Sequence, residues 1–263
     1  MCGICGCGQI DKHAEHAHHH HHTHDHEHEH HHDEISPERL IKVEQDLLNK
    51  NDRFAAQNRA YFQQHGIFAL NLVSSPGAGK TTLLVSTIRT LKDQCSIAVI
   101  EGDQQTSHDA DRIQAEGVAA LQINTGRACH LDAHAVGHAV MDLHLTDHSL
   151  LVIENVGNLV CPASFDLGEA HKVVVLSVTE GDDKPLKYPD MFHAADIMII
   201  NKIDLLAYVD FDVERCIDYA RRINPQIQVM QLSATKGHQL EVWLDWLKNN
   251  IHKTPAGGSN EAH

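Results

Sequence analysis

The sequence predicts a doubly wound α/β domain built on a mostly parallel sheet. Seven short β-rich runs alternate with helix-length connectors, and most of the runs are almost continuously apolar, as strands covered on both faces must be. The first run ends in a glycine-rich turn that opens directly into a helical stretch, a strand, turn and helix in succession.

Residues 1–34 precede this pattern. CGICGCG supplies Cys2, Cys5 and Cys7, and thirteen histidines lie between His13 and His32, interleaved with Asp25, Glu27, Glu29 and Asp33. With almost nothing apolar to bury, the segment cannot offset its ordering entropy and is expected to be disordered without metal. The histidine run is broken by Thr, Asp and Glu and follows the cysteines, unlike an uninterrupted terminal purification tag. Residues 35–66 then predict a helix, with Ser36 as N-cap, Pro37 at the first helical position, Leu40, Val43, Leu47 and Leu48 at helical spacing, and an end near Gly66. Strands are expected at 67–74, 95–102, 119–125, 149–156, 172–178, 195–201 and 227–233, inside a domain spanning 67–253. TPAGGSNEAH, 254–263, reads as a frayed tail.

A chain of 263 residues has room for one large domain and an appendage. Asp and Glu outnumber Lys and Arg by 36 to 21, for a formal charge of -15, with no basic block to follow a phosphate backbone. Nucleic acid and anionic membrane are therefore not expected as partners. The 25 histidines titrate near pH 6.5, so mild acid removes much of that charge. No apolar run approaches the roughly 20 residues that span a bilayer, and no signal region opens the chain. A cytoplasmic location is expected, where seven cysteines serve as thiols or metal ligands rather than bridges.

SSPGAGKTT, 74–82, has the layout of a phosphate-binding loop, with Ser74 where the usual pattern has its first glycine. Gly77, Ala78 and Gly79 let backbone N–H groups converge on phosphates, Lys80 reaches the outer phosphates, and the Thr81 and Thr82 hydroxyls follow, Thr81 as a Mg2+ ligand. NKID places Asn201, Lys202 and Asp204 after a strand. A carboxylate there accepts two hydrogen bonds from guanine, worth roughly 1.5–3 kcal/mol each, which adenine does not offer. SATKG adds Ser233 and Ala234, with the Ala234 N–H expected to meet the guanine carbonyl. Asp103 after the second strand and Glu154 after the fourth complete the expected magnesium site. Lys80 and Asp103 are the expected catalytic pair, Gly157 is a candidate sensor of the γ-phosphate, and no residue stands out to position water.

Cys129 and His130 are adjacent, and Cys161 follows Glu154 by seven residues. A sulfur and nitrogen donor set on the γ-phosphate side suits Ni2+ or Zn2+. Three ligands do not close such a site, leaving the rest to water, to His134 one turn on, or to a symmetry-related subunit.

Together, SSPGAGKTTLL, EGDQQTSHDADRI, NTGRACHLDAH, ENVGNLVCP, NKIDLL, SATKG and CGICGCG resemble the hydrogenase nickel-incorporation GTPase family, HypB, over nearly the whole chain. The resemblance implies a SIMIBI-like P-loop GTPase fold that uses GTP and Mg2+, delivery of Ni2+ to the large subunit of nickel–iron hydrogenase, the nickel chaperone HypA as partner, and a GTP-dependent homodimer. On that reading Cys2, Cys5 and Cys7 with the α-amino group wrap Ni2+ in a square-planar field, and the histidine run buffers nickel. Two alternatives share much of the pattern. The urease accessory GTPase UreG has the same nucleotide logic but lacks the cysteine-rich start and ENVGNLVCP. A metal-storage protein whose GTPase domain is only an assembly switch would need no GTP turnover.

Overall fold

The computed structural model describes residues 37–103, 108–126 and 128–253. Cys2, Cys5, Cys7, the histidine run and the 254–263 tail therefore lie outside the described residues. The chain divides into two compact units, 1–47 and 48–263, a division that falls inside the first helix. In order, the elements are α1 (Pro37–Gln64), β1 (Phe68–Ser74), α2 (Lys80–Leu91), β2 (Ile97–Asp103), α3 (His108–Gln114), β3 (Ala119–Asn124), α4 (Ala133–Leu143), β4 (Leu150–Gly157), β5 (His171–Ser177), α5 (Lys184–Lys187), α6 (Pro189–Ala194), β6 (Ile197–Asn201), α7 (Val213–Ile223), β7 (Gln228–Gln231) and α8 (Leu240–Ile251). Short 3-10 turns occupy Cys161–Ser164 and Ile203–Tyr208. In the first unit, the described side chains of α1 from 41 to 47 are exposed.

All seven expected strands are present, and they form one parallel sheet in the order β3-β2-β4-β1-β5-β6-β7. Alternation along each strand sends residues to opposite faces. Leu70 and Leu72 of β1 and Val152 of β4 pack with Leu84 and Ile88 of α2 and with Trp243 and Leu247 of α8. Ala69, Leu151 and Ile153 turn to the other face, against Phe62 of α1 and Val136 and Val140 of α4. Val174, Leu176, Met198 and Ile200 continue that side under Phe192 of α6 and Ile217 of α7. Full burial of each large aliphatic or aromatic side chain contributes about 1.5–3 kcal/mol, which makes the sheet a rigid support for the loops at its strand ends.

Within the second unit, α1 is fastened by polar side chains. Asn51 donates to the Asp166 carbonyl at 2.7 Å and accepts from the Ala133 N–H at 2.9 Å. Asn58 donates to the carbonyls of Ala133 and Leu167 at 2.8 and 3.0 Å. The helix stops at Gln64, and Gly66 takes φ 61° to turn the chain into β1.

At the site end of the sheet, Leu72 pairs with Glu154 but Ser74 pairs with Gly157. β4 thus carries one extra residue opposite β1, a bulge of the sort that redirects side chains beside functional loops.

Candidate functional site

The loop between β1 and α2 wraps the N-terminus of α2. Gly79 caps that helix at φ 100° with no side-chain cap, and its first turn holds no acidic residue, so the N–H groups and the positive end of the helix dipole face outward. Gly77 also has a positive φ, 77°. A Cβ on Gly79 would lie 2.6 Å from Asn201 Nδ2, so close approach as well as dihedral freedom requires glycine here.

Gly77, Gly79, Lys80, Thr81, Thr82, Asp103, Glu154, Gly157 and Lys202 line one cleft of about 530 Å3 together with Ser74, Pro76, Val156 and Arg112. Lys80 Nζ donates to Ser74 Oγ at 3.0 Å, which gives the serine at the first-glycine position a structural role: its hydroxyl receives the lysine. Thr81 Oγ1 donates to Glu154 Oε1 at 2.6 Å, and Asp103, the last residue of β2, lines the same cleft. A hydroxyl and two carboxylates give an all-oxygen set that fits a hard dication such as Mg2+. A larger cleft of about 610 Å3 lies elsewhere, at Phe62, Phe68, Ala170 and Asn250. It lacks the phosphate-loop residues and carries no such chemistry.

The residues expected to read the base sit behind the loop. Asn201 Nδ2 donates to the Ala78 carbonyl at 2.9 Å, and Lys202 Nζ donates to the Gly77 carbonyl at 2.7 Å, so NKID and the phosphate loop brace each other. Lys202 takes φ 62°. Asp204 Oδ1 is buried with no hydrogen-bond partner, an acceptor site left for a ligand N–H. Ser233 Oγ accepts from the Lys236 N–H at 3.1 Å and shapes the SATKG turn. The Ala234 N–H donates to Asn201 Oδ1 at 3.0 Å, an oxygen that also accepts from the Lys202 N–H at 2.8 Å, so SATKG and NKID are tied to each other.

Cys129, His130 and Cys161 converge, with their ligand atoms all within 4.8 Å of one another and Cys129 Sγ 3.7 Å from His130 Nδ1. Metal bonds of about 2.0–2.3 Å put opposite donors roughly 4.6 Å apart, so the set fits one soft or borderline ion. Burial holds the His130 imidazole below its usual pKa despite Asp132 nearby, which favours the neutral ring that ligates metal. Phe165 lies against that ring at 3.9 Å between centroids. His134 does not join the cluster. Asp132 caps α4, accepting from the Ala135 N–H at 2.8 Å, and the helix it starts carries His134 to Phe54 and His138 instead.

Two contributors escaped the sequence reading. Arg112 of α3 lines the phosphate cleft; an arginine in a short charged helix looks solvated until topology brings α3 to the loop. Lys172 at the start of β5 is buried and donates to the carbonyls of Pro162, Ala163 and Phe165 at 2.9, 3.3 and 3.1 Å, holding the turn that follows Cys161. Only a lysine beginning an apolar strand, KVVVLS, hinted at it.

A parallel sheet with a phosphate loop between its first strand and the next helix, and an acid on β4 facing that loop, defines a P-loop nucleotide-binding protein. Residues 68–231 match the family described as CobW/HypB/UreG, nucleotide-binding domain. The hydrogenase maturation factor HypB of Azotobacter vinelandii is 64% identical over 214 residues, spanning 81% of this chain and 71% of that protein. Crystal structures of HypB from Archaeoglobus fulgidus (39% identity, TM-score 0.73, 77% of this chain and 99% of that one) and of HypB from Helicobacter pylori in complex with nickel (39%, 0.72, 81% and 100%) share the fold. The chain belongs to the CobW/HypB/UreG family and, within it, to the HypB hydrogenase maturation factors. Among the described residues, no helix is long and apolar enough to cross a membrane.

Proposed function

We propose that this chain is a GTP-hydrolysing nickel metallochaperone that assists insertion of Ni2+ into the large subunit of nickel–iron hydrogenase. The observation that carries the reading is a shared segment: β4 brings Glu154 to the phosphate cleft, and the turn after it brings Cys161 to Cys129 and His130. A nucleotide and a transition-metal cargo therefore meet two ends of one stretch of about eight residues.

In this reading the α2 N–H groups and Lys80 hold the β- and γ-phosphates, and Asp204 accepts the guanine N–H groups. Thr81, Asp103 and Glu154 hold Mg2+, which neutralises charge on the phosphates when bound. Asp103, with Lys80 one of the catalytic pair, is the carboxylate that can move with the γ-phosphate, Gly157 lies against the loop to register its presence, and Arg112 adds positive charge to the cleft. Cys129, His130 and Cys161 hold Ni2+, or Zn2+ in competition, as a cargo site completed by water or by a second copy in a GTP-dependent homodimer. Cys2, Cys5 and Cys7 form a further nickel site, and the histidine run stores nickel for it. HypA and the hydrogenase large subunit are the partners on this reading, and the cytoplasm is the setting. The nickel-complexed Helicobacter relative supports the cargo, and the family supports the nucleotide.

Lys80→Ala tests the nucleotide half. Phosphate release from GTP by the purified full chain is expected to fall at least a hundredfold, since the lysine neutralises charge that grows on the outer phosphates. Unchanged turnover would remove the phosphate-loop assignment, and no turnover in the wild-type chain would favour storage alone.

A further inference from the structure

Three cations line the phosphate cleft among the described residues: Lys80, Lys202 and Arg112. Two are bonded to the loop itself, Lys80 Nζ to Ser74 Oγ at 3.0 Å and Lys202 Nζ to the Gly77 carbonyl at 2.7 Å. Arg112 enters from another side. The sheet order β2-β4-β1 sets Asp103, at the end of β2, two strands from the loop with Glu154 of β4 between them, and α3 follows β2 on that far side. The helix is anchored. Ala110 and Ile113 are buried, Ile113 in one cluster with Leu83 and Leu84 of α2. Beyond its end, Glu116 ties it to α2, its carboxylate accepting from Arg89 Nε and its carbonyl from Lys92 Nζ, each at 2.8 Å. Successive helical residues differ by about 100°, so a buried Ile113 turns the exposed Arg112 out of the core, where it lines the cleft.

We propose that Arg112 is a catalytic residue of GTP hydrolysis, an arginine supplied by the chain itself that binds γ-phosphate oxygens in the transition state. The inference rests on the GTPase reading above and names the group that meets the transition-state charge. Among the described residues that line the cleft there is no Gln, Asn, His or Tyr to orient water, so the rate depends on charge stabilisation. In hydrolysis the water oxygen bonds to the γ-phosphorus while the bond to the β–γ bridging oxygen breaks; that electron pair stays with GDP, and the water proton leaves with the released phosphate. The transition state spreads negative charge over three equatorial oxygens. Lys80 meets that charge from the loop side. A guanidinium arriving from the Asp103 side meets it from the other, and its planar pair of N–H donors matches two oxygens of one phosphoryl group, which a single ammonium cannot do. Because α3 is fastened to α2, the helix that the phosphate loop opens, the arginine is carried with the loop and needs no second protein to bring it.

The test measures single-turnover GTP hydrolysis and nucleotide affinity on the full chain with Mg2+, for wild type, Arg112→Ala and Arg112→Lys. The position is exposed, and circular dichroism confirms that each variant is folded. Arg112→Ala is expected to slow hydrolysis at least about a hundredfold while GTP and GDP affinities stay within about threefold, since the contact strengthens only in the transition state. Arg112→Lys should recover little of the rate. Binding of GDP with aluminium fluoride, a mimic of the transferring phosphoryl group, should weaken in Arg112→Ala, and added guanidinium ion should restore part of its rate, which a merely structural role would not allow. A wild-type chain that hydrolyses GTP while Arg112→Ala keeps its rate would overturn this inference and leave the GTPase reading standing; a wild-type chain with no turnover would overturn both. Equal losses of GDP affinity and of rate, with no rescue by guanidinium, would also overturn it and leave Arg112 a binding residue.

Discussion

Lys172→Met should both destabilise the chain and loosen Cys161. The Lys172 ammonium is buried, donates to three carbonyls of residues 162–165, and lies 3.9 Å from the Glu169 carboxylate. Burial pulls its pKa down, with Glu169, Asp166 and Asp196 opposing. Burial pushes the Glu169 carboxyl up, against Lys172, Asn71 and the Leu167 N–H. Hydrogen bonds from a charged donor contribute about 1.5–3 kcal/mol each, but they are not additive, and removing one partner of a buried pair typically costs about 3–5 kcal/mol. A loss of about 3–5 kcal/mol is therefore expected near neutral pH. The sign with pH follows from Glu169. Without Lys172 its folded pKa rises further above the unfolded value, and an acid with a raised pKa loses stability as pH rises through it. The variant's deficit should shrink towards pH 5 and grow towards pH 8. Urea unfolding at both pH values measures this, and iodoacetamide labelling of Cys161, read by mass spectrometry, should quicken because the turn is no longer tied to β5. A deficit below about 1 kcal/mol with unchanged Cys161 labelling would refute the argument that Lys172 fixes the turn after Cys161.

Two further outcomes follow from the nucleotide cleft. Asp204→Asn should weaken GTP roughly ten- to a hundredfold, the loss of about 1.5–3 kcal/mol expected for a charge-assisted pair, and shift preference towards XTP, measured by competition binding. Gly79→Ala combines a positive φ with a 2.6 Å approach to Asn201 Nδ2, so about 1–3 kcal/mol of strain should appear in thermal unfolding together with weaker nucleotide binding.

The strands were legible because parallel strands buried on both faces leave continuous apolar runs such as KVVVLS and IMIIN, and the phosphate loop because its chemistry is local in sequence. What sequence periodicity hides is polar and topological. The apolar repeat of α1 runs through Leu47 and Leu48 without marking the division between the two units, since the helix is fastened beyond it by Asn51 and Asn58. His134 fits a one-turn spacing from His130 on paper, but the cap at Asp132 starts a helix that points it elsewhere. Arg112 and Lys172 acquire their roles only from neighbours many residues away. Nothing in SATKG shows that the Ala234 N–H meets Asn201 Oδ1 across the loop.

Metal and nucleotide should influence each other through the bulge in β4. Asn155, inside the bulge, accepts from the Leu131 N–H at 3.1 Å, directly after His130, and Gly157 rests against Pro76 of the phosphate loop, where an added Cβ would find Cγ at 3.2 Å. Asn158 then spans both halves of the Cys129, His130 and Cys161 cluster: its Nδ2 donates to the Cys129 carbonyl at 3.4 Å, and its Oδ1 accepts from the Val160 N–H at 2.8 Å, one residue before Cys161. A γ-phosphate that shifts Pro76 against Gly157 displaces a side chain that holds both cysteine segments. Couplings between sites are typically about 1–3 kcal/mol and reciprocal, so Ni2+ or Zn2+ should change the affinity for a non-hydrolysable GTP analogue about five- to a hundredfold more than it changes GDP affinity. Cys161→Ala should abolish that difference by removing a ligand. Asn158→Ala keeps every ligand and every cleft residue; it should leave metal-free nucleotide affinity within about twofold while shrinking the metal effect at least fivefold. The same metal effect in wild type, Cys161→Ala and Asn158→Ala would show that the two sites share a strand without communicating through it.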